Sequence, residues 1–199
     1  MLLGKYRVVR VIGAGGMGAI LEAENVRTTR RVAIKVLHGD SNRVSNAVRR
    51  FQNEARASAQ LEHPNSIDVL DLEQDEGGTL FIVQELLHGE TLYDRFQREG
   101  RLPWREAFDL MLPIMSALAS AHRRGIIHRD VKPENIFLAQ AAPNICVPKI
   151  IDFGVARVFF DASERLTRTD RVVGTPFYMS PEQAAGEREL NGQTDVWSV

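Results

Sequence analysis

Two hydrophobic rhythms divide the chain. Residues 6–37 gather β-branched side chains around turn-prone stretches: Val8, Val9, Val11 and Ile12, then a run of glycines, then Ile20, then the apolar segment 32–37. This pattern predicts an antiparallel meander. Over 45–61 the spacing turns helical, with Val48, Phe51, Ala55 and Ala59 on one side and arginines on the other, and His63-Pro64-Asn65 ends it. Two strand-like runs follow at 67–72 and 80–85, separated by the acidic turn 73–78.

Beyond Leu86 the strands give way to a helix predicted over 103–124, in which Phe108, Met111, Ile114, Met115, Leu118 and Ala119 recur at helical spacing. Pro113 lies inside it and removes one backbone donor, so a local bend is expected there. After Gly125 only short apolar runs remain, at 126–127, 136–138 and 150–151. A strand-rich first part and a helix-rich second part predict an α+β fold of two lobes with a cleft between them, dividing at 1–86 and 87–199.

Composition narrows the partners. Lys and Arg number 25 against 26 Asp and Glu, so no global field draws the chain to nucleic acid or to an anionic membrane, and any phosphate binding is local. The amino-terminal stretch has no long apolar run, so no signal peptide or membrane segment is expected in this chain. Cys146 is the sole cysteine and cannot form an internal disulfide, which fits a reducing compartment; a cytoplasmic location is expected.

The glycines at 13–18, read as GAGGMG, fit a pattern that lets backbone N–H groups approach phosphates without a side chain in the way. Such a run also suits a plain hairpin turn or a dinucleotide-binding fold. The latter requires a helix straight after the glycines and an acidic residue about 20 positions on. Here strand and turn follow Gly18, and Val32, Ala33 and Ile34 are apolar, which favours a phosphate clamp in hairpin form. Lys35 ends that apolar segment, where a solvated edge lysine is the plain alternative to a phosphate ligand. The run His128-Arg129-Asp130-Val131-Lys132-Pro133-Glu134-Asn135, followed by Asp152-Phe153-Gly154, then brings together a carboxylate to take a hydroxyl proton, oxygen ligands for Mg²⁺ and cations to balance phosphate charge.

Taken in order, the glycine loop, Val32-Ala33-Ile34-Lys35, Glu54, the run 128–135, Asp152-Phe153-Gly154 and Ser180-Pro181-Glu182 resemble the bacterial members of the eukaryotic-like (Hanks-type) serine/threonine protein kinase family. The likeness runs from about Tyr6 to the end of the chain. It implies a two-lobed protein-kinase-like fold, an antiparallel sheet as the amino-terminal lobe and a helical carboxy-terminal lobe that is incomplete.

The resemblance further implies transfer of the γ-phosphoryl group of ATP to Ser or Thr hydroxyls of proteins, with Mg²⁺ and with Mn²⁺ as an alternative. By the same likeness Gly13, Ala14, Gly15, Gly16, Met17 and Gly18 cover the phosphates, while Lys35 contacts them and pairs with Glu54. Ile20, Ala33 and Leu138 wall the adenine, and the backbone of 85–87, at Glu85 and Leu87, reads its edge, with Gln84 behind it. Asp130 takes the acceptor proton, Lys132 stabilises the transferring group, Asn135 and Asp152 hold the metal, and Asp195 holds the catalytic-loop backbone. Thr167 or Thr169 is the expected site of regulatory phosphorylation. Three positions depart from the family pattern: Ser66 and Ser180 replace aliphatic and alanine residues, and Gln84 stands where methionine is frequent. A non-catalytic scaffold would have lost Lys35, Asp130 or Asp152, and small-molecule phosphotransferases of this fold generally lack the glycine loop and the segment 174–182.

Overall fold

A computed structural model describes residues 2, 4–15, 18–37, 59, 61–75, 79–143, 145–153, 176–187 and 189–199. The chain forms two compact units, Met1–Ala59 with Asp68–Leu87, and Gln60–Ile67 with His88–Val199.

The first unit is a five-stranded antiparallel sheet of β1 (Tyr6–Gly15), β2 (Gly18–Asn25), β3 (Arg31–Leu37), β4 (Val69–Gln74) and β5 (Leu80–Glu85), in the order β1-β2-β3-β5-β4. Period-two alternation sorts its side chains. Tyr6, Ala23, Val32, Ile34, Phe81 and Val83 pack into one apolar cluster on one face. The meander and the strand at 80–85 match the sequence pattern. The strand expected at 67–72 begins two residues later, because Ile67 donates its N–H to Ile150 O at 3.0 Å and so belongs to the other unit. Of the helix expected over 45–61, only Ala59 and Leu61 lie among the described residues.

The second unit adds β6 (Gly89–Thr91), α1 (Leu92–Glu99), α2 (Trp104–His122), a 3₁₀ turn (Pro133–Asn135), β7 (Ile136–Ala142), β8 (Ile145–Ile150), a second 3₁₀ turn (Pro176–Tyr178), α3 (Pro181–Ala184) and α4 (Gln193–Ser198). Strands β6, β7 and β8 form a small antiparallel sheet. Gly89 lets β6 reach β7: its φ is +141°, and a Cβ there would stand 2.1 Å from Leu138 O. Helix α1 starts at a capping box, in which Thr91 Oγ accepts from Asp94 N at 3.1 Å while the Asp94 carboxylate accepts the Thr91 N–H at 3.2 Å.

Helix α2 runs through Pro113 as one element. Its buried face is Leu110, Ile114, Ala117, Leu118 and Ala121, packed with Leu61, Leu92, Val131, Ile136, Leu138, Ile150 and Phe153. Phe108 and Met115, expected on that face, are instead exposed at 58% and 45%. The apolar residues of this helix wrap most of its circumference, so spacing alone does not choose the buried side.

The contrast between the two sides is testable. Ile114 is fully buried, and Ile114→Ala is expected to cost about 2–5 kcal/mol of stability in urea unfolding. Leu112→Ala, at a position 56% exposed, is expected to stay within about 0.5 kcal/mol.

Candidate active site

The loop after α2 is fixed by a carboxylate 67 residues away in sequence. Asp195, on α4, is 1% exposed; its Oδ2 accepts the N–H of His128 at 2.8 Å and its Oδ1 the N–H of Arg129 at 2.7 Å. The ring of His122, at the end of α2, meets Oδ2 at 2.7 Å. Gly192 passes so close to that ring that a Cβ would lie 2.6 Å from His122 Nδ1, which brings α4 within reach. On the other side Gln183 Nε2 donates to Arg129 O at 2.8 Å, and Gln183 is placed by the capping box of Ser180 on α3. Thr194 Oγ1 donates to Glu182 at 2.7 Å, joining α3 to α4.

These ties hold Arg129 at φ +66°, a backbone state that non-glycine residues rarely adopt. The turn presents Asp130. Its Oδ2 accepts from Lys132 Nζ at 2.8 Å and from Asn135 Nδ2 at 2.9 Å, and the same Nδ2 also donates to Asp130 O at 2.7 Å. No bond among the described residues reaches Oδ1, and the Asp130 side chain is 39% exposed. The result is a carboxylate anchored by one oxygen and open at the other, beside a lysine ammonium.

His128 supports Asp130 from beneath. It is fully buried; Nε2 lies 2.9 Å from Ile151 O and Nδ1 accepts the Asp130 N–H at 3.2 Å, so the ring is the neutral tautomer with its proton on Nε2. Phe153 packs on it with centroids 4.8 Å apart. Burial pushes the His128 pKa below its ordinary 6.5, and a second proton on Nδ1 would face the Asp130 N–H.

A metal fits the donor set beside this loop. Both bonds of the Asn135 amide run through Nδ2, which leaves its oxygen as an available ligand. Asp152 follows two residues after Ile150, at φ +59°, and Ile151 N donates to Asn135 O at 2.9 Å, so the two chains carrying Asn135 and Asp152 run side by side. Among the described residues no group of three His, Cys, Asp or Glu forms a metal site. One amide and one carboxylate oxygen suit a hard cation that takes its remaining ligands from water and phosphate.

In the first unit Lys35 is 7% exposed and has a partner of its own, which excludes a solvated edge lysine. It pairs in register with Ile20 on β2 and Ile82 on β5. Ala33, two residues back on β3, is also buried. Gly13, Ala14 and Gly15 end β1, and Gly15 pairs with Gly18 at the start of β2, so these glycines stand at the paired ends of the two strands. Glu85 ends β5 with its N–H on Asp68 O at 3.0 Å, and Leu87 follows. Leu138, on β7, belongs to the core of the second unit. Gly16, Met17, Glu54, Thr167 and Thr169 lie outside the described residues.

A family model described as the protein kinase domain matches residues 6–199. The chain belongs to the protein kinase family. It is 42% identical over 197 residues to the serine/threonine-protein kinase pkn3 of Myxococcus xanthus, covering 98% of this chain and 36% of that protein. Identity to PrkC of Bacillus subtilis is 40% over 183 residues, covering 92% and 27%. The crystal structure of the Mycobacterium tuberculosis PknI kinase domain superposes with a TM-score of 0.75 at 28% identity, covering 100% of this chain and 72% of that one. The chain thus spans well under half the length of these curated relatives. The α+β kinase fold expected from the sequence is the fold observed, and the family implies ATP and a divalent metal. No helix among the described residues is long and apolar enough to cross a membrane.

His122 and Gln183 carry no role in the sequence reading, although both hold the loop. A signal for His122 existed: it follows Leu118 by four residues and Ile114 by eight, which puts it on the buried side of α2. His128 yields a pH prediction. Its proton is bound more weakly in the folded chain, so the unfolded chain takes up the extra proton as pH falls through about 6.5. Stability present above that pH is therefore lost below it. Urea midpoints are expected to fall between pH 7.5 and pH 5.5, and to fall less in His128→Tyr; an equal drop in both would remove His128 as a source of the acid sensitivity.

Proposed function

We propose that the chain catalyses transfer of the γ-phosphoryl group of ATP to Ser or Thr hydroxyls of proteins. The observation that carries this reading is the Asp130 carboxylate, fixed through Oδ2 by Lys132 and Asn135 and open at Oδ1. In that role Oδ1 accepts a hydrogen bond from the acceptor hydroxyl, aims its oxygen and takes its proton as the new O–P bond forms and the bond from the γ-phosphorus to the β–γ bridging oxygen breaks, releasing ADP. Lys132 is assigned to offset the charge of the transferring group; its contact with Asp130 Oδ2 at 2.8 Å supports this. Asn135 and Asp152 would hold Mg²⁺, with Mn²⁺ as an alternative; when bound, the metal balances phosphate charge and orients the chain of phosphates.

On the sheet unit, Lys35 is assigned to the phosphates and the backbone of the hairpin 13–18 to covering them; burial of the lysine and the absence of side chains on four of those six residues support this. Ile20, Ala33 and Leu138 are assigned to the adenine faces, and the backbone at Glu85 and Leu87 to its edge. Glu54 is assigned as the partner of Lys35. Protein substrates are preferred to nucleic acid because the net charge of -1 gives no general attraction to a polyanion. The single cysteine supports work in the cytoplasm.

Asp130→Asn separates the roles. It is expected to leave Mg-ATP binding nearly intact while lowering phosphotransfer to a Ser/Thr-containing protein acceptor by two orders of magnitude or more. Lys35→Met is expected to lower both. Radiolabel transfer and nucleotide titration measure the two effects, and comparable turnover by Asp130→Asn would remove Asp130 from the chemistry.

A further inference from the structure

Over residues 7–31 five arginines stand against two glutamates. Three of the five are matched: Arg7 meets Glu24 at 2.8 Å, Arg10 meets Glu22 at 2.6 Å, and Arg31 meets Glu22 at 3.1 Å. Arg27 and Arg30 make no ion pair with a described residue. Both belong to the turn between β2 and β3, in the run Arg27-Thr28-Thr29-Arg30-Arg31, every residue of which is exposed. Two unmatched cations therefore bracket two hydroxyls.

Among the described residues the exposed serines and threonines are Thr28, Thr29 and Ser116. Ser116 lies within α2, its Oγ 3.3 Å from His63 Nε2. The Thr29 hydroxyl already donates to Thr28 O at 2.7 Å. Thr28 Oγ1 differs: it accepts the Arg30 N–H at 3.5 Å, and its proton has no acceptor among the described residues. The turn is held by Asn25 Oδ1, which accepts the N–H groups of Arg27 at 2.9 Å and Thr28 at 3.1 Å. Thr29 sits in it at φ +57°, a strained state for a β-branched residue, so drawing the segment out into an acceptor site relieves strain. A phosphate on Thr28 brings nearly two negative charges and three acceptor oxygens to a place flanked in sequence by both unmatched guanidiniums, which form strong charge-assisted bonds with such groups.

We propose that Thr28 is a phosphorylation site, modified by a second copy of this chain, and that Arg27 and Arg30 hold the phosphate once it is in place. This inference rests on the phosphoryl-transfer reading given above and names one acceptor for it. The Thr28 hydroxyl oxygen bonds to the γ-phosphorus of ATP as the bond from that phosphorus to the β–γ bridging oxygen breaks. ADP leaves, and the hydroxyl proton passes to Asp130 of the catalysing copy. The modification turns a basic hairpin tip into a nearly neutral one.

Incubation of the chain with MgATP, followed by phosphopeptide mapping, is expected to place phosphate on Thr28. Thr28→Val is expected to lose that label while transfer to an added protein acceptor stays unchanged. A second measurement needs no activity, because a carboxylate stands in for the phosphate. At low salt Thr28→Glu is expected to melt about 2 °C above Thr28→Gln, and the gap to close at high salt and in the Arg27→Gln/Arg30→Gln background. No gap, or a gap that persists without the two arginines, overturns their role in holding the phosphate. Label on the added acceptor but none on Thr28 overturns the inference alone. No label on any protein defeats the phosphoryl-transfer reading, and this inference with it.

Discussion

A buried carboxylate that accepts two consecutive backbone N–H groups is the constraint on which the loop at 128–135 depends. Asp195 gives one oxygen to His128 N and the other to Arg129 N, and shares the first with the ring of His122. A buried carboxylate is costly unless its lone pairs are satisfied, and three donors satisfy most of them. The arrangement also carries the left-handed turn at Arg129, a conformation that an isolated loop would abandon. Everything that aims Asp130 follows from that turn: the His128 ring under its N–H, and Lys132 and Asn135 on its Oδ2.

How much of this was legible in the sequence depended on whether an interaction is local. Asp130, Lys132 and Asn135 lie within six residues of one another, so their convergence is readable from spacing. The sheet was equally plain, because alternation of β-branched residues reports one buried face directly. The β6–β7–β8 sheet and helix α1 were not foreseen. Residues 89–91 are too short to show a period, and helix α1 is mostly polar, with Leu92 its only buried residue. Its start was nonetheless written locally in Thr91 and Asp94, as a capping box. His122 and Gln183 needed the tertiary fold, since each acts on a group more than 50 residues away.

The departures from the family pattern have different physical standing. Ser180 is buried and takes up a cap: its Oγ accepts Gln183 N at 3.4 Å, an interaction alanine cannot make, and Gln183 in turn holds Arg129 O. A small departure from the family pattern thus reaches the turn at Arg129 through two hydrogen bonds. Ser66 gains less. It is 1% exposed, and among the described residues its hydroxyl finds only the carbonyl of Ile67 at 3.4 Å, while its own carbonyl receives Lys149 Nζ at 3.1 Å. There the backbone does the joining and the side chain is nearly incidental.

The separation between His128 and Asp195 also has a meaning in time. The 67 residues from Arg129 through Asp195 must be synthesised after His128 has appeared. At roughly 5–20 residues per second a ribosome needs about 3–13 s to add them. During that interval every strand of the five-stranded sheet has already been made, yet the carboxylate that sets the loop does not exist. A nascent chain therefore passes through a period in which Asp130 is present but unaimed, and the order of translation itself delays the setting of this loop until α4 has been made.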